Sequence, residues 1–176
     1  FGQLCVRMAR AALGGAAPTA LVSDQTVMTQ LDAAVEAFVE RMSRSALTAR
    51  GSERLAELLR IQRYYATCAS QALAAAPLQL PSAADAALME HHQDFVAATQ
   101  ALLSAHDEPA PAGTALDPQA MEARYQALKA AVLAAAASGM LPLADMETLL
   151  GRYSALRRAV QQALKARSRL HALSAE

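Results

Sequence analysis

Residues 53–73 read ERLAELLRIQRYYATCASQAL. Leu58, Ile61, Tyr65, Cys68 and Ala72 recur at alternating steps of three and four, the spacing that lays one apolar stripe along an α-helix. The stretch before it, LVSDQTVMTQLDAAVEAFVERMSRSAL (21–47), repeats the rhythm with Met28, Leu31, Val35, Phe38 and Met42, a coiled-coil-like seam. Downstream, Met121, Tyr125, Leu128, Val132 and Ala135 form a third seam. A fourth runs through Met146, Leu149, Tyr153, Leu156, Val160 and Ala163, with Leu170 beyond it. All of these are expected in the core.

Composition agrees with periodicity. Of 176 residues, 45 are Ala and 25 Leu, against one Ile, eight Val, eight Thr and no Trp. Ala and Leu lead the helix-propensity ranking, whereas β-branched and aromatic residues are what fill a pleated sheet. An all-β or α/β fold is excluded, and the fold class is all-α.

The seven prolines punctuate the seams: Pro18, Pro77, Pro81, Pro109, Pro111, Pro118 and Pro142. Proline is costly inside a helix. The cuts leave six helices at roughly 2–14, 23–47, 52–76, 82–106, 117–138 and 143–173. Ser23 or Asp24, Ser52, Ser82 and Asp117 (followed by Pro118) are the expected N-caps. Gly14, Gly15, Gly51 and Gly139 are expected at helix ends. Helices of about 25 residues run about 38 Å, so an elongated up-down bundle is predicted.

The chain also resembles itself. An offset of 90 carries Leu31, Val35, Phe38 and Met42 onto Met121, Tyr125, Leu128 and Val132. An offset of 91 carries Leu55, Leu58, Leu59, Tyr65, Gln71, Ala72 and Leu73 onto Met146, Leu149, Leu150, Leu156, Gln162, Ala163 and Leu164. One extra loop residue reconciles the two. The reading is two tandem three-helix bundles, residues 1–76 and 82–176.

Net charge is zero, from 16 basic and 16 acidic residues, which disfavours nucleic acid as a partner. The signs are segregated, however. Between Tyr64 and Ala123 there is no Lys or Arg, while Asp85, Glu90, Asp94, Asp107, Glu108, Asp117 and Glu122 occur. From Thr148 to Ala175 there are no acids, and Arg152, Arg157, Arg158, Lys165, Arg167 and Arg169 do occur. Either an acidic middle helix neighbours a basic last one, or these six residues contact an acidic partner or anionic lipid.

Cys5 and Cys68 are too few for a disulfide framework or metal cluster and read as buried thiols. The longest apolar run, Ala130 to Ala144, is too short to span a bilayer. The start at Phe1, inside an amphipathic stretch, leads us to expect a piece of a longer protein, or a processed one.

Catalytic signatures are absent. Glu90 and Asp94 stand one turn apart, a spacing that holds a divalent cation only with outside ligands. They are weak metal candidates, expected instead as solvated acids, and Glu36/Glu40 and Glu53/Glu57 share their spacing. His92 lies on the opposite face, within the stripe of Leu88, Phe95, Thr99 and Leu102. It is expected as an interior, hydrogen-bonded histidine, with Thr99 its candidate partner. No cofactor is expected.

Segment order carries a resemblance. FGQLCVRMAR (1–10), then LVSDQTVMTQLDAAVEAFVERMSRSAL, a short loop and ERLAELLRIQRYYATCASQAL resemble the PhoU-like cytoplasmic domain at the C-terminal end of bacterial sodium/phosphate cotransporter-like membrane proteins. The resemblance implies two tandem three-helix bundles on the cytoplasmic side of the inner membrane. It further implies a non-catalytic regulatory role in sodium-dependent phosphate or anion transport. The partners it implies are the chain's own transmembrane transport domain and a second copy of itself. The family's metal motif, Glu/Asp-x-x-x-Asp after Leu-Leu-x-Ile, is matched only by Leu58-Leu59-Arg60-Ile61. Its acidic positions fall on Ala66 and Ser70, and in the second repeat on Arg157 and Gln161. No metal site is therefore carried over. Alternatives are a free-standing PhoU-type phosphate-signalling adaptor, a dimerising structural module and a metal-dependent helical-bundle enzyme.

Overall fold

The structure, a computed structural model, describes residues 1–14, 18–43, 47–82, 84–107 and 117–174. Among them are six α-helices and no strand: α1 (Gly2–Leu13), α2 (Pro18–Ser43), α3 (Ala49–Ala75), α4 (Ala86–Asp107), α5 (Pro118–Ala137) and α6 (Leu143–Ser174). Gly15, Pro109 and Pro111, read as breakers, and Glu108 lie outside the described residues.

Helix ends follow local capping chemistry, with several corrections. Asp117 caps α5 as expected, accepting from the Gln119 N–H with Pro118 in the first turn. Gly139 ends the same helix with φ of 79°, a left-handed conformation that glycine adopts without Cβ strain. Thr48, not Ser52, caps α3, its hydroxyl accepting from the Gly51 N–H at 3.1 Å. Gly51 thus lies in a first turn rather than at an end. Asp85, not Ser82, serves α4 by accepting from Leu88 N–H at 2.7 Å. Neither Ser23 nor Asp24 caps α2, which begins at Pro18. Proline lacks only an N–H that a first turn leaves unbonded anyway. Asp24 instead accepts from Arg7 of α1, at 2.6 Å in the shorter contact.

α1, α2 and α3 touch one another, and so do α4, α5 and α6. The most extensive pairing is α3 along α6, and α1 reaches across to α4 and α6. Small buried residues suit this long contact: Cys68, Ala69, Ala72 and Ala75 on α3, and Ala155, Ala159, Ala163 and Ala166 on α6. Short side chains let ridges mesh at small interaxial distance.

The core around α5 is aromatic. Phe95 meets Tyr153 edge-on at 5.8 Å between ring centroids and Tyr125 at 6.0 Å. Such pairs contribute about 1 kcal/mol each beyond burial. Met121, Tyr125, Leu128, Val132 and Ala135 are all buried, as their spacing predicts.

The α2 seam departs from expectation. Met28 is buried, but Leu31 and Phe38 are exposed and Val35 and Met42 only half-buried. On α3, Leu58 is exposed although Ile61, Tyr65, Cys68 and Ala72 are buried. Leu170 of α6 is exposed as well. Periodicity identifies an apolar face but not whether a neighbouring helix is there to cover it.

Candidate functional site

The six basic residues of α6 have different surroundings. Arg157 donates to both carboxylate oxygens of Glu122 (2.9 and 3.1 Å), and its guanidinium lies 4.5 Å from the Tyr125 ring centroid. Arg169 donates to Glu57 at 2.7 Å and sits 5.8 Å from the Tyr64 ring. Glu57 also accepts from Arg60, and its carboxyl is held below its ordinary value, chiefly by the Arg169 hydrogen bond. Arg169, Glu57, Arg50, Glu53 and Arg54 line a mixed-charge cleft of about 590 Å³. Arg152 lines a smaller one with Asp145 and Pro81, and Arg167 donates to His171. Arg158 and Lys165 are exposed. Two of the six thus face the chain's own acids: Glu122 on α5 and Glu57 on α3.

Glu90 is exposed, and Asp94 accepts from Arg124 of α5 at 2.9 Å. Among the described residues no group of three or more His, Cys, Asp or Glu side chains is placed to hold a metal ion. His92 is half-buried and hydrogen-bonded, but its partner is the Tyr153 hydroxyl at 2.7 Å rather than Thr99. The buried Thr99 hydroxyl has no hydrogen-bond partner among the described residues. Helical-wheel reasoning can place His92 on an inward face, but Tyr153 is 61 residues away.

Two buried thiols lie where α1 meets α3. Cys5 Sγ lies 3.2 Å from the Tyr65 carbonyl and 3.7 Å from Met28 Sδ, and Cys68 Sγ lies 3.9 Å from the Cys5 carbonyl. Burial pushes the Cys5 thiol up to about 12 and raises Cys68 as well. A nucleophilic cysteine needs the opposite shift, so both behave as packing residues.

The surface feature that seam periodicity missed is an apolar groove of about 360 Å³ between the second half of α2 and the first half of α3. Val35, Phe38, Leu55, Leu58 and Tyr65 line it, with Phe1 and Leu170 at its margin. Phe38 and Leu58 are each 48% exposed. Gly2 also lines the groove, where a Cβ would come within 2.8 Å of the Tyr65 ring. Its missing side chain is what lets α1 approach there. The repeat offers a reference, because the counterparts of Phe38 and Leu58 are Leu128 and Leu149, 0% and 2% exposed. Exposed apolar surface grouped in a concavity marks an interaction site more often than scattered side chains do.

No helix among the described residues is long and apolar enough to cross a membrane. No family model, no curated protein and no solved structure matches the chain.

Proposed function

We propose that the chain is a non-catalytic helical interaction domain that regulates a sodium-dependent phosphate or anion transporter from the cytoplasmic side of the membrane. The apolar groove carries the interaction reading: Phe38 and Leu58 are exposed side by side where the repeat would bury them. The transporter assignment rests on the resemblance in segment order to the PhoU-like domain of sodium/phosphate cotransporter-like proteins. The finer fold that goes with it is two tandem three-helix units, 1–76 and 82–176. Mutual contact within each helix triplet supports this fold. So does the matched burial of Tyr65 with Leu156, Cys68 with Ala159, Ala69 with Val160 and Ala72 with Ala163.

Mechanistically, docking of the groove on the transport machinery would bias its conformational equilibrium by the difference in affinity for its states. Arg158 and Lys165 are candidate contacts to acidic partner groups or lipid headgroups. Phosphate uptake by cells expressing the complete gene product, with and without sodium, tests the assignment. Sodium-dependent uptake whose set point changes when residues 1–176 are deleted is expected. A gene product with no sodium-dependent uptake of phosphate or another anion overturns it.

A further inference from the structure

Sulfur-bearing side chains from three helices come together in the buried contact of α1 with α2 and α3. Cys5 of α1 brings its Sγ to 3.7 Å from Met28 Sδ of α2. The same Sγ lies 3.2 Å from the Tyr65 carbonyl oxygen of α3. A helical carbonyl points along the axis toward the following turn, so this oxygen faces the level of Cys68. Cys68 Sγ in turn lies 3.9 Å from the Cys5 carbonyl oxygen. Burial raises the Cys68 thiol, and the nearby Cys5 thiol adds to the shift. Cys5 and Cys68 are fully buried, and Met28 is nearly so. Met8, one turn beyond Cys5 on α1, is buried as well. The position that matches Cys68 in the other half of the chain is Ala159, also fully buried. Packing at that level is therefore met by a methyl group, and the thiol adds a chemistry that packing does not require.

We propose that Cys5, Met28 and Cys68 form a binding site for one Cu(I) ion. Metal–sulfur bonds of about 2.3 Å set two sulfur ligands about 3.8–4.0 Å apart, for angles from tetrahedral to trigonal. Cys5 Sγ and Met28 Sδ, at 3.7 Å, already stand close to that spacing. Thiolate and thioether donors are soft and select Cu(I). A structural zinc ion instead needs four N, S or O ligands, and among the described residues no three His, Cys, Asp or Glu side chains are grouped to supply them. The thiolate is the ligand, so binding releases the Cys5 and Cys68 protons to solvent. Copper enters and stays at +1, and no electron is transferred. The burial that suppresses free thiolate also keeps water from the bound ion. Loading requires a local opening of α1 from α3. This inference goes beyond the interaction-domain reading and does not depend on the transporter assignment.

The test is an anaerobic titration of the 176-residue chain with Cu(I), in competition with the chromophoric chelator bicinchoninate. One Cu(I) per chain is expected, with an ultraviolet thiolate-to-copper charge-transfer band and a raised Tm. X-ray absorption should show a first shell of sulfur alone. Met28→Leu conserves volume and keeps both thiols, and should weaken binding at least about tenfold. Cys68→Ala, which installs the residue found at position 159, should abolish the one-to-one complex. Met140→Leu, at an exposed methionine, should leave affinity unchanged. Circular dichroism verifies that each variant is folded, and Met28→Leu alone decides the matter where Cys68→Ala does not fold. Binding no tighter than that of the urea-unfolded chain overturns the proposal. So does equal affinity in Met28→Leu, a nitrogen or oxygen ligand in the first shell, or retention of zinc in preference to Cu(I). The copper site can fail while sodium-dependent uptake is still regulated, so the two readings fail separately.

Discussion

The Tyr153 hydroxyl and His92 Nδ1 are 2.7 Å apart, with the two rings tilted at 5.8 Å between centroids. The contact ties α6 to α4 inside the aromatic core. Desolvation holds the His92 pKa below its ordinary 6.5. A folded-state pKa below the unfolded value means that the unfolded chain binds the proton more readily. The stabilisation is therefore fully present above pH 6.5 and is lost as pH falls from there through the folded-state value. Urea midpoints at pH 7.5 and 5.5 should show lower stability at the acidic pH, with part of the difference abolished in His92→Gln. An identical pH dependence in the variant counts against the role of this histidine.

Tyr153→Phe removes the hydroxyl while keeping the ring contact with Phe95. It leaves a half-buried imidazole nitrogen without its partner, at a cost of about 1–2 kcal/mol. Denaturant unfolding measures the difference, and a neutral substitution would mean that water replaces the hydroxyl.

Positions 58 and 149 are both leucine, related by the internal repeat, yet they should respond differently to truncation. Leu149→Ala opens a cavity in a closed core and should cost about 2–4 kcal/mol. Leu58→Ala, at the open groove, should cost less than about 1 kcal/mol. Equal losses would mean that the groove is closed in solution.

Arg157 combines an ion pair to Glu122 with a stacked contact on Tyr125. Arg157→Ala should destabilise the protein by about 1–2 kcal/mol, a figure kept modest because both charges are partly exposed. Arg157→Lys should recover little of the loss, since an ammonium provides neither the fork nor the planar face. Full recovery by lysine would reduce the interaction to simple charge.

Cys5 and Cys68 are both fully buried, and the Cys5 thiol is pushed up to about 12. At pH 8 the native protein should react with a thiol reagent far more slowly than the urea-unfolded chain, which should release two equivalents. Rapid native labelling of either thiol would contradict their burial.

Several of these features are legible in the amino-acid order. Alternating steps of three and four specify the buried faces of α5 and α6, because such spacing puts residues on one side of a 3.6-residue turn. Asp117-Pro118 marks the start of α5 through purely local chemistry. Ser23, Asp24, Ser52 and Ser82 mislead, since a capping side chain acts only where the chain actually turns, and Pro18, Thr48 and Asp85 fix those turns instead. The basic charges of α6 are equally legible, but their partners, Glu122 and Glu57, come from helices 35 and 112 residues away.

What the sequence by itself determined is an all-helical chain with four apolar seams and a mirrored order of core residues. Those properties follow from propensity and periodicity, which act over one or two turns. Which seams are covered was decided only in the tertiary structure. Phe38 and Leu128 carry the same sequence signal, yet Phe38 is 48% exposed and Leu128 is fully buried. Burial depends on which neighbouring helix covers a face, and no window on a single helix contains that neighbour. The buried core itself runs through both halves of the chain, from Cys5 and Val6 to Ala163 and Ala166.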